Sequence, residues 1–273
     1  MTNNTKNKIE VKNLTVRYTE RSEIHTALDN VSFDIKEGQF VSIVGSSGCG
    51  KSTLLSVLEG LLAPSDGAVF VDGKEITGPG LDRGVVFQQY SLFPWMTARQ
   101  NVVFGLRQAK RGASRAELRD MADDYLARVG LSGSERRFPS RLSGGMQQRV
   151  AIARALAMDA DILLMDEPFG AVDAKTRTVL QELLLDLWQK ESKRKTVVFV
   201  THDLDEAIFL SDRIILLTDS PGKLRRDIPV NFPHPRYREE LMSSIVYDDF
   251  RRELFADFFQ TTHRSAESEG INI

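Results

Sequence analysis

The sequence predicts an α/β fold with a mixed, largely parallel sheet, an N-terminal antiparallel β subdomain and an inserted helical lobe. Short β-rich runs separated by polar turns fill residues 9–44, and strands alternate with helices again after residue 162. After residue 88 the periodicity becomes helical for about 70 residues. Because strands that alternate with helices are joined by crossovers, the central sheet is expected to be largely parallel.

The N-terminal third is predicted to contain five strands and one helix. Its only helix follows a glycine-rich loop and is indicated by leucines at helical spacing (54, 55, 58, 61 and 62), with an end near Pro64. The predicted strands are 9–16, 31–35, 40–44, 68–71 and 84–88, and the predicted helix is 52–62.

The helical lobe is expected over residues 90–158. Its clearest helix begins at Ser114, where Glu117 three residues later completes a capping box, and it stops at Gly130. The segments predicted after it are a helix over 146–158, strands over 162–165, 196–200 and 213–217, and a helix over 174–190.

The C-terminal segment follows a proline-containing stretch after Pro229. It predicts a helix whose apolar residues share one face: Leu241, Ile245, Phe250, Leu254 and Phe258. Packing on its own domain is the simpler interpretation, and a subunit contact is the alternative. Residues 265–273 are expected to be frayed. We therefore expect one large domain over 1–240, with the lobe inserted in it, and a helix with a frayed tail over 241–273.

Composition excludes several classes of protein. The 273 residues carry a net charge of −2, which argues against the broad basic surface of a nucleic-acid binder. The single cysteine, Cys49, cannot form an intramolecular disulfide, and no Cys/His pattern indicates structural zinc. The first eight residues lack the apolar segment of a secretory signal, and the apolar runs are too short to span a bilayer, so any membrane role is expected to be peripheral.

The segment GSSGCGKS at 45–52 has the spacing of a phosphate loop, and it lies between a predicted strand and a predicted helix. Glycines let backbone amides surround a phosphate, and the helix N-terminus favours negative charge there. Lys51 is expected to reach the β- and γ-phosphates, and Ser52 to ligate Mg²⁺. The predicted nucleotide-binding residues of this loop are Gly45, Ser46, Ser47, Gly48, Cys49, Gly50, Lys51, Ser52 and Thr53.

The segment ILLMDE at 162–167 is an apolar strand that ends in two acids. A phosphate-loop enzyme needs a carboxylate for the Mg²⁺ shell and a group that handles the attacking water. Asp166 is expected to supply the first and Glu167 to act as general base. Without the phosphate loop, the same pattern would equally well be a solvated strand end.

The segment LSGGMQQR at 142–149 resembles the signature sequence of the ATP-binding cassette (ABC) ATPases. Ser and two glycines before a helix could otherwise be a cap and a turn. The resemblance implies a phosphate-loop ATPase core whose ligands are ATP and Mg²⁺. It also implies that two copies pair head to tail, each presenting its signature to the γ-phosphate held by the other. The signature residues assigned to this contact are Ser143, Gly144, Gly145 and Gln147.

Four further positions match the family in order and spacing, although each is weak alone. Tyr18 resembles the aromatic residue that stacks on adenine, and Gln88 resembles the residue that touches Mg²⁺ and moves with the membrane partner. Asp173 resembles the residue that communicates across the dimer, with a helix N-cap as the alternative. His202 resembles the histidine that contacts the γ-phosphate. The residues expected to act in hydrolysis are Glu167, His202 and Gln88, and those expected around Mg²⁺ are Ser52, Gln88 and Asp166.

Residues 85–106 and 220–236 resemble the ATPase subunits of nitrate, sulfonate and taurine importers. Only some 40 residues follow Pro229, too few for a usual regulatory domain. The apolar residues at 93–96 are expected to border a groove for a permease helix, or else to anchor the lobe. The implied partners are a second ATPase subunit, membrane permease subunits and, indirectly, an extracytoplasmic solute-binding protein, with the chain on the cytoplasmic face of the membrane.

Two other classes of protein compete with this interpretation. A soluble ABC ATPase that acts on nucleic acid or ribosomes usually has coiled-coil insertions or a second cassette, and neither is seen in this sequence. A phosphate-loop kinase or GTPase would have no use for LSGGMQQR, and no Asn-Lys-x-Asp motif for guanine is present.

Overall fold

The computed structural model describes residues 6–20, 23–191 and 193–268. The strands are β1 Asn7–Glu20, β2 Glu23–Lys36, β3 Phe40–Val44, β4 Asp66–Val71, β5 Lys74–Glu75, β6 Arg83–Val86, β7 Ile162–Asp166, β8 Thr196–Thr201, β9 Arg213–Leu217 and β10 Leu224–Pro229. The helices are α1 Lys51–Glu59, α2 Ala98–Ala109, α3 Arg115–Arg128, α4 Gly144–Ala157, α5 Ala174–Lys190, α6 Leu204–Leu210, α7 Arg238–Met242 and α8 Ile245–Ser268, with a short 3-10 helix at Pro139–Arg141.

The chain divides into two compact units. The first combines Met1–Pro79 with Val198–Ile273, and the second is Gly80–Val197. The boundary falls inside β8, so that residues 196 and 197 belong to the second unit and the rest of the strand to the first.

The first unit contains an antiparallel sheet with the strand order β2-β1-β4-β5. Ile9 and Val11 of β1 are buried, and so are Leu14 and Val16. Val11 and Leu14 are three residues apart, whereas side chains on one face of a strand recur every second residue. The inward–outward alternation therefore shifts by one residue between them, and the pairing of β1 with β2 changes register at the same point. The predicted N-terminal antiparallel β subdomain is confirmed.

Three strands of the second sheet in this unit, β10, β9 and β3, lie side by side in that order, with β8 next to β3. Strand β3 runs parallel to β9 and all five of its residues are buried, as expected for a strand covered on both faces. Strand β10 pairs with β9 in the antiparallel direction. The sheet is therefore mixed, as the sequence predicts.

The second unit contains the helical lobe and the parallel pair β6–β7, whose register runs from Arg83 opposite Ile162 to Val86 opposite Met165. Helices α2, α3 and α4 bury apolar residues such as Val102, Leu126 and Ile152. Trp188 on α5 is buried, and its indole Nε1 donates to the carbonyl oxygen of Lys195 at 2.7 Å.

Several predicted elements are confirmed. Strands β3 and β9 and helix α5 have the predicted limits. The capping box of α3 is present, with the Ser114 amide donating to Glu117 Oε2 at 2.7 Å and the Glu117 amide donating to Ser114 Oγ at 3.2 Å. A second capping box, at Thr97 and Gln100, begins α2, which the sequence analysis did not single out.

The helix after the glycine-rich loop is shorter than predicted. It ends at Glu59 because Gly60 adopts a left-handed φ of 78°, and the Leu61 amide then donates to the Ser56 carbonyl. Leu61 and Leu62 therefore lie outside the helix, and Leu61 is exposed. Helix α6 and strand β10 were also missed: α6 has only seven residues, and β10 is largely polar.

The C-terminal helix is broken into α7 and α8 at residues 243 and 244. Ile245 is exposed rather than on the apolar face, and Tyr247 is buried in its place. The apolar face packs on residues of its own unit, among them Ile208 and Leu216, which agrees with the simpler interpretation. Helix α8 continues through Ser268, so residues 265–268 are helical rather than frayed, and residues 269–273 lie outside the described residues.

No helix in the described part of the chain combines the length and the apolar character needed to cross a bilayer.

Replacing Gly60 by alanine is expected to destabilise the first unit by several times as much as replacing Gly73. The two glycines have nearly the same left-handed φ, 78° and 77°, which costs an L-residue about 1–2 kcal/mol. An added Cβ at Gly60 would lie 2.8 Å from the Pro79 nitrogen and closer still to the Gly78 carbonyl, whereas Gly73 has open space around it. Urea unfolding of Gly60→Ala and Gly73→Ala measures the difference, and equal losses would contradict it.

Candidate functional site

The phosphate loop, residues 45–50, connects β3 to α1 in the first unit. No side chain caps the N-terminus of α1, and its first turn has no acidic residue. Gly50 precedes the helix with φ 97°, and a Cβ there would lie 2.7 Å from the Ala27 carbonyl oxygen and from Leu28 Cδ2. Uncapped amides at a helix N-terminus are a ready anion site, so this local structure suits a phosphate.

Lys51 is buried, and its ammonium Nζ donates to the carbonyl oxygens of Gly45 and Ser46, both at 2.8 Å. A buried charge needs such partners, and here the loop itself supplies them. The Ser46 hydroxyl donates to the carboxylate of Asp219, a loop residue for which the sequence pattern held no signal. The Lys51 ammonium is thus paired by backbone carbonyls of the glycine-rich loop, which is the loop that the sequence predicts to bind phosphate.

The remaining loop residues differ in exposure. Ser47, Gly48 and Ser52 are exposed, and Thr53 is half-buried. The Tyr18 side chain is 38% exposed, and its hydroxyl lies 3.3 Å from Thr53 Oγ1. Tyr18 therefore lies beside the start of α1 with a ring that remains accessible. The structure brings these two predicted residues together.

Cys49 is fully buried in the loop. Burial raises the pKa of its thiol, although the Lys51 ammonium opposes the shift. The side chain is close-packed, because a Cβ added to Gly45 would overlap its Sγ.

In the second unit, β7 ends at Asp166, and Glu167 follows it. Glu167 has a positive φ of 38°, which is rare for a residue other than glycine and is typical of functional positions. Gln88, exposed beyond β6, directs its Nε2 at Glu167 Oε2 over 3.5 Å. Gln88 and Glu167, predicted from separate motifs, are thus brought together.

The signature segment lies at the start of α4. Ser143 is the N-cap, and its Oγ accepts from the Met146 amide at 3.3 Å, while Gly144 and Gly145 form the first turn. Gln147 donates from Nε2 to the Leu142 carbonyl oxygen at 3.2 Å. The cap interpretation therefore describes Ser143 correctly, and its exposure leaves the hydroxyl accessible at the helix N-terminus.

Asp173 is also an N-cap, since its carboxylate accepts from the Thr176 amide at 3.0 Å. The contact with Thr176 lowers the pKa of the Asp173 carboxyl. In the first unit, His202 is exposed directly after β8.

Tyr90 is a residue that sequence reasoning missed. Its hydroxyl donates to the Ala171 carbonyl oxygen at 3.4 Å and lies against Gly144, where an added Cβ would be 2.7 Å away. It thus connects the segment after Gln88 with both the signature helix and the segment before Asp173. Nothing in the local pattern indicates such a contact, because it joins residues far apart in sequence.

The residues predicted around Mg²⁺ are suitable by chemistry. They offer a hydroxyl, a carboxylate and an amide oxygen, from Ser52, Asp166 and Gln88. Hard oxygen donors of this kind suit Mg²⁺, which is often bound by few protein groups together with substrate phosphates. Ser52 and Gln88 are exposed, and Asp166 is half-buried.

Comparison with known proteins identifies close relatives. A family profile described as ABC transporter matches residues 28–170. A nitrate import ATP-binding protein of a Synechocystis species is 47% identical over 82% of this chain and 83% of its own length. A bicarbonate transport ATP-binding protein of a Synechocystis species is 44% identical over 89% and 86%. A solved dimeric ATP-binding cassette in a post-hydrolysis state, bound to ADP and Pi, is 41% identical, with a TM-score of 0.73 over 82% of this chain and all of that chain.

Cys49 in the folded protein is expected to react with a thiol reagent at least about a hundredfold more slowly than in urea, because it is buried and its raised pKa leaves little thiolate near neutral pH. The rate is expected to rise with pH only above the range of an exposed thiol. Since Cys49 is the single cysteine, absorbance of the released chromophore reports this site alone. Equal rates in the folded and unfolded protein would contradict the expectation.

Proposed function

The chain belongs to the ABC transporter family of ATP-hydrolysing cassettes, and on that premise we propose that it powers import of a small anion, nitrate or one similar to it, through a membrane permease. The observation that carries the proposal is an exposed aromatic cluster a few residues after Gln88. Cassettes of this family in solved structures form dimers, so we propose that two copies of this chain, or this chain and a paired subunit, close around two ATP molecules.

The aromatic cluster consists of Phe93, Trp95 and Phe104 on the second unit. The ring centroids are 5.6 Å apart for Phe93–Trp95 and 4.7 Å for Phe93–Phe104, and Trp95 is 69% exposed. The turn that carries it is held by the fully buried Asn101, whose amide accepts from the Phe93 amide at 2.9 Å and donates to nearby carbonyls. Phe93 thus anchors the turn, while Trp95 faces solvent.

Exposed aromatic side chains on a rigid support are typical of interaction sites. We propose that the cluster binds a cytoplasmic helix of the permease. Its proximity in sequence to Gln88, which contacts Glu167, supports this assignment, because docking at the cluster would then act on the segment that leads to the proposed general base. The chain would accordingly lie on the cytoplasmic face of the membrane.

The roles of the remaining residues form part of the same proposal. Lys51 and the amides of the phosphate loop bind the β- and γ-phosphates, and Tyr18 stacks on the adenine. Glu167 accepts a proton from the attacking water, and His202 contacts the γ-phosphate. Ser52, Asp166 and Gln88 would hold Mg²⁺, which would supply positive charge to the phosphate oxygens.

The second copy completes each nucleotide site in this proposal. Ser143 and the amides of Gly144 and Gly145 stand at the N-terminus of α4, where an anion is favoured. Gln147 and Asp173 contribute at the same dimer contact. ATP contacts both copies in the closed dimer, so it binds the closed dimer more tightly than the separated copies and favours closure. Hydrolysis removes this difference in affinity between the two states.

The identity of the anion is proposed from the relatives. Nitrate is supported by the nitrate import protein, while the bicarbonate transport relative supports a small anion more broadly. Sulfonates and taurine remain within the proposed class, on the resemblance of residues 85–106 and 220–236. The solute would contact the permease and a solute-binding protein rather than this chain.

Glu167→Gln is expected to bind ATP with nearly unchanged affinity but to hydrolyse it about 10²–10⁴-fold more slowly, because the proton acceptor is lost while the side chain keeps its shape. Trapped ATP should also stabilise the dimer, which light scattering detects. Glu182→Gln on α5, an exposed acid, serves as the control. Wild-type turnover by Glu167→Gln would exclude the general-base role.

The tagged chain, purified from gently solubilised membranes of its native host, is expected to bring with it a multi-spanning permease, identified by mass spectrometry. Trp95→Ala is expected to reduce this recovery without lowering the ATPase rate of the isolated chain. Phe138→Ala, another exposed aromatic residue of the second unit, is the matched control. Recovery of ribosomes or nucleic acid without any membrane protein would overturn the transport proposal and favour the soluble alternative.

A further inference from the structure

Helix α6 begins two residues after His202 and has only seven residues, too few to be stable alone. Its N-terminus is held by local contacts: the Glu206 amide donates to Asp203 Oδ1 at 3.0 Å, and the Thr201 hydroxyl donates to Glu206 Oε2 at 2.5 Å. The backbone on both sides of His202 is therefore tied to the first turn of α6. Contacts that hold α6 in place therefore also hold the backbone of His202 in place.

The C-terminal helix α8 contacts this first turn through Asp205. The Tyr247 hydroxyl donates to Asp205 Oδ1 at 2.9 Å. The Arg251 guanidinium donates to the same carboxylate, from Nε at 2.5 Å and from Nη2 at 3.1 Å. Tyr247 is 3% exposed, and burial together with the Asp205 contact raises the pKa of its hydroxyl.

The other end of α6 is held by Arg236. Its Nη1 donates to the carbonyl oxygens of Ile208 and Phe209, both at 3.0 Å, and of Ser211 at 2.8 Å. Burial lowers the pKa of Arg236 to about 10, which leaves it a cation at neutral pH. A cation at the C-terminus of a helix is favoured by the helix dipole and here also binds carbonyls that lack helical partners.

The space between the two ends is filled by apolar packing. Ala207 and Ile208 of α6 lie in one buried cluster with Tyr247 and Leu254 of α8. The C-terminal segment thus contacts α6 at both ends and along one face. All of the predicted ATP-binding motifs lie before residue 203, so the C-terminal segment contacts α6 from outside them.

We propose that Arg236, Tyr247 and Arg251 are positioning residues for ATP hydrolysis, which act on His202 by holding α6 in place. The inference rests on the proposed role of His202 at the γ-phosphate. The three residues touch no reacting atom and act only through the position of His202. Their loss therefore reduces the rate of the chemical step, while ATP binding at the phosphate loop stays unchanged.

Tyr247→Phe and Arg251→Gln each remove part of the contact with Asp205. We expect each to lower kcat by roughly tenfold, the scale of a small displacement of a reacting group, with KM for ATP unchanged. Arg251→Lys keeps a cation near Asp205 and should recover part of the rate. Arg252→Gln is the matched control, because Arg252 is the adjacent exposed arginine and pairs with Asp249 on its own helix. Circular dichroism checks that α8 stays folded in each variant.

A double-mutant cycle with His202→Ala separates positioning from general destabilisation. If α6 acts through His202, Tyr247→Phe lowers kcat in the wild-type background and has no further effect in His202→Ala. A wild-type kcat for both Tyr247→Phe and Arg251→Gln would overturn the inference, and so would equal losses in the two backgrounds. An unchanged kcat for His202→Ala itself would instead overturn the proposed role of His202, and with it the inference.

Discussion

The buried ammonium of Lys51 is the interaction around which the phosphate loop is arranged. Its two hydrogen bonds go to the carbonyl oxygens of Gly45 and Ser46, so the backbone of the loop itself pairs the buried charge. The loop is held from outside by the hydrogen bond of Ser46 to Asp219. The requirement to pair one buried charge thus constrains the backbone of the loop that is proposed to bind phosphate.

The residues proposed to be functional in this chain, or residues next to them, coincide repeatedly with helix caps. Ser143 caps α4, Asp173 caps α5 and Asp203, next to His202, caps α6. A helix N-terminus needs a short polar side chain to satisfy its amides, and the same place favours an anion such as phosphate. The structural and functional interpretations of these residues are therefore compatible rather than exclusive.

Elements with a local physical cause were predictable from the sequence. The buried run of β3, the capping box at Ser114 and the loop before Lys51 all follow from neighbouring residues. The box at Thr97 has the same local signature and could have been found. The end of α1 could also have been predicted from Gly60, because glycine commonly ends helices. The helical spacing of Leu61 and Leu62 instead favoured a longer helix.

Contacts between distant parts of the chain were not predictable. Tyr90 against Gly144, Asp219 with Ser46, and Asp205 with Tyr247 all depend on how elements pack, and no spacing rule encodes them. Ile245 fitted the apolar pattern of the C-terminal helix, but the break at residues 243 and 244 turned it to solvent. The residues proposed to bind nucleotide could thus be identified from local sequence, whereas the residues that support them could not.

The two tryptophans of the chain occupy opposite environments in the second unit. Trp188 is buried, bonded to the Lys195 carbonyl and lies under the guanidinium of Arg194 at 4.9 Å, whereas Trp95 is largely in water. Their fluorescence is therefore expected to differ, with a blue-shifted emission from Trp188 and a red-shifted, easily quenched emission from Trp95. An aqueous quencher such as iodide is expected to quench the emission of Trp95 selectively. The chain thus carries its own optical probe at the aromatic cluster and an internal reference for the integrity of the fold, without any added label.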